Sequence, residues 1–298
     1  MRGHRIKNRT IRKLLTNPIS VVGLVLIIFF IVIAVVAPWI TKPEYPGQPY
    51  MIPRSGYSAT PEAPSPGHLF GTTEGQYDIY YGIVWGTRTA FRVGLIVVFF
   101  TLLIGVPLGA IAAFYGGAID EIIMRITDIF MTFPFLVAAM VLVVILGRGL
   151  NNVMIAMMVF GWMGYTRMIR GDILTIKEND YIAAAHAIGA SDFRIILRHV
   201  LPNAIYPIFV MATMNIGSMV LTAAALSFLG LGSAVGYADW GQMISFARNW
   251  ILGTQTNPLA YWYTVIYPGA AIVLFVLAWN LVGDAFRDIL DPRMRGSR

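Results

Sequence analysis

The chain of 298 residues is 57% hydrophobic and only 12% charged, about half the charged fraction of a soluble domain, so most of its surface does not face water. It has no cysteine, which excludes disulfides, thiolate metal sites and cysteine nucleophiles together. The formal net charge of +7 is read as a basic face against anionic lipid, with no nucleic-acid partner.

The apolar residues fall in continuous blocks near the ~20 residues that cross a bilayer as a helix, not in the short alternating segments of a barrel strand. The expected fold class is therefore an all-α membrane protein with six transmembrane helices. A basic tail, 1–18, precedes a first span at 19–40; that run exceeds the ~7–15 residues of a signal core, so it is read as uncleaved. Residues 41–87, rich in Pro, Gly and Tyr, read as an irregular external segment with little core. Spans follow at 91–114, 120–147 and 152–169, with a tight turn at 148–151 between the last two. The fifth span is 204–231. Residues 232–265 hold Trp240, Trp250, Tyr261, Trp262 and Tyr263, either an interfacial aromatic belt or substrate contacts, the belt being the commoner use. The last span, 266–286, leads to a tail at 289–298.

The basic residues orient this arrangement. Arg2, Arg5, Lys7, Arg9, Arg12, Lys13, Arg125, Arg167, Arg170, Lys177, Arg194, Arg198, Arg287, Arg293, Arg295 and Arg298 fall on one side. Lys42, Arg54, Arg88, Arg92, Arg148 and Arg248 are left for the other side or its boundary. Because cytoplasmic loops carry the excess of Lys and Arg, both termini are expected to be cytoplasmic, in a prokaryotic plasma membrane.

The same rule puts YIAAAHAIGASDFRIILRHVLPNA, residues 181–204, in the cytoplasm. Ser191 is a good N-cap for a short helix, with Asp192 suited to its positive end. Phe193, Ile196, Leu197 and Val200 recur at helical spacing as one apolar face. Gly189 allows a sharp corner, and Leu201-Pro202 is expected to end the element before the fifth span. Ala183, Ala184 and Ala185 offer a smooth surface. Connections between bundle helices usually run about 2–8 residues; this one is far longer and patterned, which points to a docking element for a cytoplasmic partner.

Those residues carry a resemblance. Ala184-Ala185, Gly189, His199 and Leu201-Pro202 stand at the spacing of the EAA loop of ABC importer permeases. GTTEGQYDIYYGIVWGTRTAFRVG (71–94), MRITDIFMTFPFLVAAMVLVVILG (124–147), ALSFLGLG (225–232) with DWGQMI (239–244), and PGAAIVLFVLAWNLVGDAFRDILDPR (268–293) resemble the C-type subunit of the dipeptide and oligopeptide permeases. The resemblance implies a type I ABC importer fold with its permease core at 88–288 and an EAA coupling-helix loop at about 178–203. It implies an ATP-driven importer of di- or oligopeptides, with oligosaccharides or nickel chelates as alternative cargo. The implied partners are a homologous B-type permease, two cytoplasmic ABC ATPases, an extracytoplasmic substrate-binding protein and the lipid bilayer. The resemblance also implies that the chain itself is not an enzyme and binds no cofactor, ATP and Mg belonging to the ATPases. The coupling contact falls on Ala183, Ala184, Ala185, Gly189, Ala190, Ser191 and Asp192. Ala183 and Ala223 stand where the family often carries Glu, and Gln76-Tyr77-Asp78 replaces its Gly-Arg-Asp.

Polar groups within the spans are the remaining candidates. Asp120, Glu121, Arg125 and Asp128 are spaced to pair along one helix, with a proton-coupled secondary transporter as the competing reading. Asn215, Ser218 and Asn280, with Met214, are candidates for a translocation path, interhelical hydrogen bonding being the plainer use. Met154, Met157, Met158, Met163, Met211 and Met219 serve either packing or an adaptable lining. Asp284 and Arg287 are expected to pair.

Overall fold

Asn17 and Pro18 start the first helix: the Asn17 side chain accepts from the Ile19 amide at 3.0 Å, and proline needs no partner in the first turn. The computed structural model describes residues 17–290; the basic residues expected ahead of residue 17 and Arg293, Arg295 and Arg298 lie outside them. The helices are α1 (Pro18–Ile40), α2 (Ile79–Tyr115), α3 (Gly117–Met131), α4 (Phe135–Leu146), α5 (Leu150–Gly161), α6 (Met163–Lys177), α7 (Asp180–Ala187), α8 (Asp192–Ile195), α9 (Leu201–Phe228), α10 (Trp240–Phe246) and α11 (Tyr263–Leu290). Among the described residues there is no sheet, only isolated bridges.

Among the described residues four helical rods are long and apolar enough to cross a membrane: α1, α2, the rod from Asp192 to Phe228, and α11. The expected third span, 120–147, is not one helix. α3 and α4 meet at a break over 132–134 with an 84° bend, because Pro134 cannot continue the hydrogen-bond ladder of α3. Counted as one span, the broken pair makes five. The expected fourth span is built from α5 and α6, joined at Trp162 in helical conformation.

At one end of the bundle lies the 178–203 segment, and at the other a cap made of residues 41–78 and 229–262. The cap corrects two expectations. Residues 41–78 are irregular but have a core: Ile52, Thr72, Thr73 and Tyr77 are buried. Ile52 donates to the Gly236 carbonyl at 2.8 Å, and Ala238 to that of Tyr50 at 2.7 Å, so the two halves of the cap are stitched together. The aromatic residues of 232–265 are not simply a belt. Trp240 and Tyr263 are buried, and Trp240 packs with Phe30 and Phe275 where α1, α10 and α11 meet.

Close backbone approach sets the packing of α2 on α6. A Cβ added at Gly105 or Gly109 would overlap the Trp162 or Thr166 carbonyl oxygen, and the Thr166 hydroxyl donates to the Gly105 carbonyl at 3.1 Å. Small residues four apart let two backbones touch, the main source of helix affinity where lipid is as apolar as leucine.

Candidate functional site

The 178–203 segment is anchored at its root. Lys177 Nζ donates to the Phe114 carbonyl at 2.6 Å, and the Phe114 ring lies parallel to His186 with centroids 6.0 Å apart. Ile182 and Ala185 are buried, while Ala183 and Ala184 face out. α7 ends in a paired cap: the Gly189 amide donates to His186 at 2.9 Å and the Ala190 amide to Ala185 at 3.1 Å. This double bond pattern puts the residue after the helix in left-handed conformation, and Gly189 has φ +78°. Among the described residues nothing beyond its chain neighbours lies within 4 Å of a Cβ added there. The glycine is required by the turn and not by internal crowding.

Past the corner, Ser191 takes the extended N-cap conformation, but its hydroxyl accepts no amide; the expected side-chain cap is absent. Nor does Leu201-Pro202 end the element. α8 runs through a π-helical turn, Ile196–Val200, directly into α9. The wider turn accommodates Pro202, whose ring would otherwise meet the carbonyl one turn earlier. The apolar face also differs from its expected composition. Ile195 and Val200 are fully buried and hold the segment to the bundle, whereas Phe193 is 71% exposed and Ile188 84% exposed. Two large apolar side chains thus stand exposed on either side of the Gly189 corner, beside Ala190, Ser191 and Asp192.

A second feature is a cavity of about 780 Å³. α9 supplies two interleaved rows at four-residue spacing, Asn203, Pro207, Met211, Asn215 and Tyr206, Val210, Met214, Ser218. Such rows form one stripe, here about 22 Å long at ~1.5 Å per residue. Asn280 and Arg287 face it from α11 and Met168 from α6. All four path candidates, Met214, Asn215, Ser218 and Asn280, therefore meet in one space. Asn215 also donates to the Tyr165 hydroxyl at 2.8 Å, so it bridges helices as well as lining the cavity. The methionines divide: Met154, Met157, Met163 and Met219 are packed inside, and Met211 and Met214 line the cavity with Met168.

The charges pair differently from expectation. Within α3 only Glu121 and Arg125 pair, at 3.5 Å and highly exposed. Asp120 takes both Nε and an Nη of Arg170 at 2.6 Å, and Asp128 pairs with Arg167, so α3 is tied to α6. No ion pair joins Asp284 to Arg287 among the described residues; Arg287 turns to the cavity instead.

The family profile described as the binding-protein-dependent transport system inner membrane component matches residues 105–296. The chain belongs to that family of ABC importer permeases. A second profile, the N-terminal TM domain of oligopeptide transport permease C, matches residues 8–59. The dipeptide transport system permease protein DppC of Alkalihalophilus pseudofirmus is 39% identical over 284 residues, 95% of this chain and 89% of the relative. The glutathione transport system permease protein GsiD of Pectobacterium atrosepticum is 38% identical over 239 residues, 80% and 77% of the two chains. A chain of the inward-facing MetNI methionine ABC transporter matches in fold, with a TM-score of 0.57 at 20% identity, over 72% of this chain and 98% of that one.

The permease is thus a membrane-embedded, non-catalytic subunit of a binding-protein-dependent importer that works with ATPase and substrate-binding subunits. Its departures from the family pattern are accommodated locally. Asp78, which the two patterns share, caps α2 through the Tyr81 amide at 2.7 Å and holds His68 at 2.8 Å. Tyr77 stacks on Phe246 and lies under the Arg54 guanidinium. Ala223 is buried. Motif reading did not select Met168, Asn203, Tyr206, Met211 or Arg287 as neighbours in one cavity. The four-residue rows of α9 were visible, but only the packing of α11 and α6 shows which face they share.

Proposed function

We propose that this permease is the C-type member of a pair of homologous subunits that moves di- or oligopeptides across the cytoplasmic membrane. One of the two ATPases that drive the pair docks on the 178–203 segment of this chain, and an extracytoplasmic binding protein delivers cargo to the cap. The observation that carries the docking assignment is the pair of exposed apolar side chains, Ile188 and Phe193, flanking a rigid glycine corner. Large apolar side chains held in water by a well-anchored segment mark an interaction site. The contact falls on Ala183, Ala184, Ala185, Gly189, Ala190, Ser191 and Asp192. With Ala183 in place of an acid, docking rests on shape and apolar burial rather than an ion pair. The excess of Lys and Arg at that end supports a cytoplasmic position for it and for both termini.

Peptide cargo is supported by relatives whose names specify dipeptide and glutathione transport. It fits a cavity lined by Met214, Asn215, Ser218 and Asn280, where amides meet a peptide backbone and methionines adapt to different side chains. The alternative of proton coupling through α3 finds its acids engaged: Asp120 and Asp128 are both held by arginines of α6.

The chain has no cysteine, so one introduced thiol is unique. Phe193→Cys in the assembled transporter is expected to cross-link to a cysteine in the ATPase docking cleft, and Leu252→Cys, still more exposed but on the cap, is not. Gly189→Val, strained by about 1–2 kcal/mol in left-handed conformation, is expected to keep membrane insertion and ATP hydrolysis while peptide uptake drops about tenfold or more. Undiminished uptake by Gly189→Val, or cross-linking from Leu252 instead of Phe193, would defeat the assignment.

A further inference from the structure

We propose that Arg287 receives the C-terminal carboxylate of a peptide cargo in the cavity, making this permease itself a discriminator of cargo charge; the inference rests on the peptide reading above. Among the described residues lining the cavity, Arg287 is the one charged side chain. The rest of the lining is neutral: the amides of Asn215 and Asn280, the Ser218 hydroxyl and an apolar wall that includes Met214. An anion crossing such a wall is costly to desolvate unless a cation meets it. A guanidinium meets a carboxylate with two parallel N–H donors, a geometry that no neutral side chain supplies.

The position of Arg287 fits that task. α11 runs antiparallel to α9 here: Phe286 packs edge-on against Phe209 with centroids 5.0 Å apart, and Gly283 lies against Met214. Arg287 is therefore at the end of the cavity nearest the 178–203 segment, and Asn280 lies two turns deeper, about 10 Å along the axis at ~1.5 Å per residue. A dipeptide spans roughly 7 Å at ~3.5 Å per residue. Its carboxylate on Arg287 puts its amide and ammonium within reach of the carboxamides of Asn280 and Asn215. A neutral oligosaccharide offers Arg287 only uncharged hydroxyl acceptors, so the one charge among the described lining residues favours an acid.

The test is a cycle between protein and cargo. The complete transporter is reconstituted in proteoliposomes with its binding protein saturated by a labelled dipeptide, once as the free acid and once as the C-terminal amide. Uptake of both is measured for the wild type, Arg287→Gln and Arg287→Lys, each on preparations shown to contain the ATPase subunits. Binding-protein preference is common to all three and cancels in the comparison. The acid-to-amide rate ratio is expected to fall about fivefold in Arg287→Gln, the scale of a partly exposed charge pair, and to be largely kept in Arg287→Lys. An equal ratio in wild type and Arg287→Gln overturns the proposal while leaving peptide transport intact, as does a wild type that moves acid and amide alike. If neither peptide moves in the wild type and a neutral oligosaccharide does, the peptide reading falls and this inference with it.

Discussion

Asp172 stands on α6 beyond the apolar part of the expected fourth span, with one carboxylate oxygen buried and without a hydrogen-bond partner among the described residues. Burial holds its carboxyl above the ordinary range, so the folded state keeps a proton that the unfolded chain releases. Below the ordinary carboxylate range both states are protonated and the site costs nothing extra. As pH rises through that range, stability is lost until the folded group ionises too. Asp172→Asn cannot ionise and is expected to melt higher than the wild type at pH 7, the gap closing as pH falls below the ordinary carboxylate range. Thermal unfolding in detergent at several pH values checks this; a gap that does not change with pH refutes it. Gly189 shows the opposite kind of residue-scale control: none of the described residues crowds it, and its left-handed conformation demands glycine.

At the scale of elements, the contact of α2 with α6 depends on Gly105 and Gly109, whose missing side chains admit the Trp162 and Thr166 backbone. Gly109→Val is expected to lower stability by about 3 kcal/mol, the upper end of overpacking costs. Gly171→Ala, on α6 where none of the described residues would meet a Cβ, should stabilise by about 0.5–1 kcal/mol through helix propensity. Denaturation of the two variants side by side separates crowding from propensity, and equal effects would dismiss the close-approach argument. The Gly105-x-x-x-Gly109 spacing was there to be read, but the spacing does not name the partner helix. The break between α3 and α4 teaches a related point. Hydropathy treats 120–147 as one run because it does not register that Pro134 removes a donor, and the 84° turn follows from that single residue.

At the scale of the molecule, the cap is joined to the bundle through Asp239. Its carboxylate is buried and accepts from Ser227 at 2.6 Å, Ser233 at 2.7 Å and the Gly241 amide at 2.9 Å. Ser227 belongs to α9 and Gly241 to α10, so one side chain ties a spanning helix to the cap. Asp239→Ala would orphan these donors and is expected to cost about 3 kcal/mol, since bonds to a charged acceptor are among the stronger ones. Protease nicking of residues 232–262 should accelerate with it; unchanged melting and unchanged nicking would show that the cap is held elsewhere.

Amphipathic and apolar periodicity determined the class of this protein and most of its spans, because helices in lipid satisfy their own backbone and announce themselves by length alone. The motif residues around Gly189 determined the family and the existence of a structured corner. Local chemistry carried no further where the partner is remote in sequence. That Phe193 faces out while Ile195 faces in depends on a π-helical turn that shifts the helical phase before Pro202. That Asp120 meets Arg170, or that Asn280 and Arg287 share a cavity with Asn215, depends on which helices pack side by side. Those pairings are set by close approach at small residues and by long-range burial, and only the tertiary structure decides them.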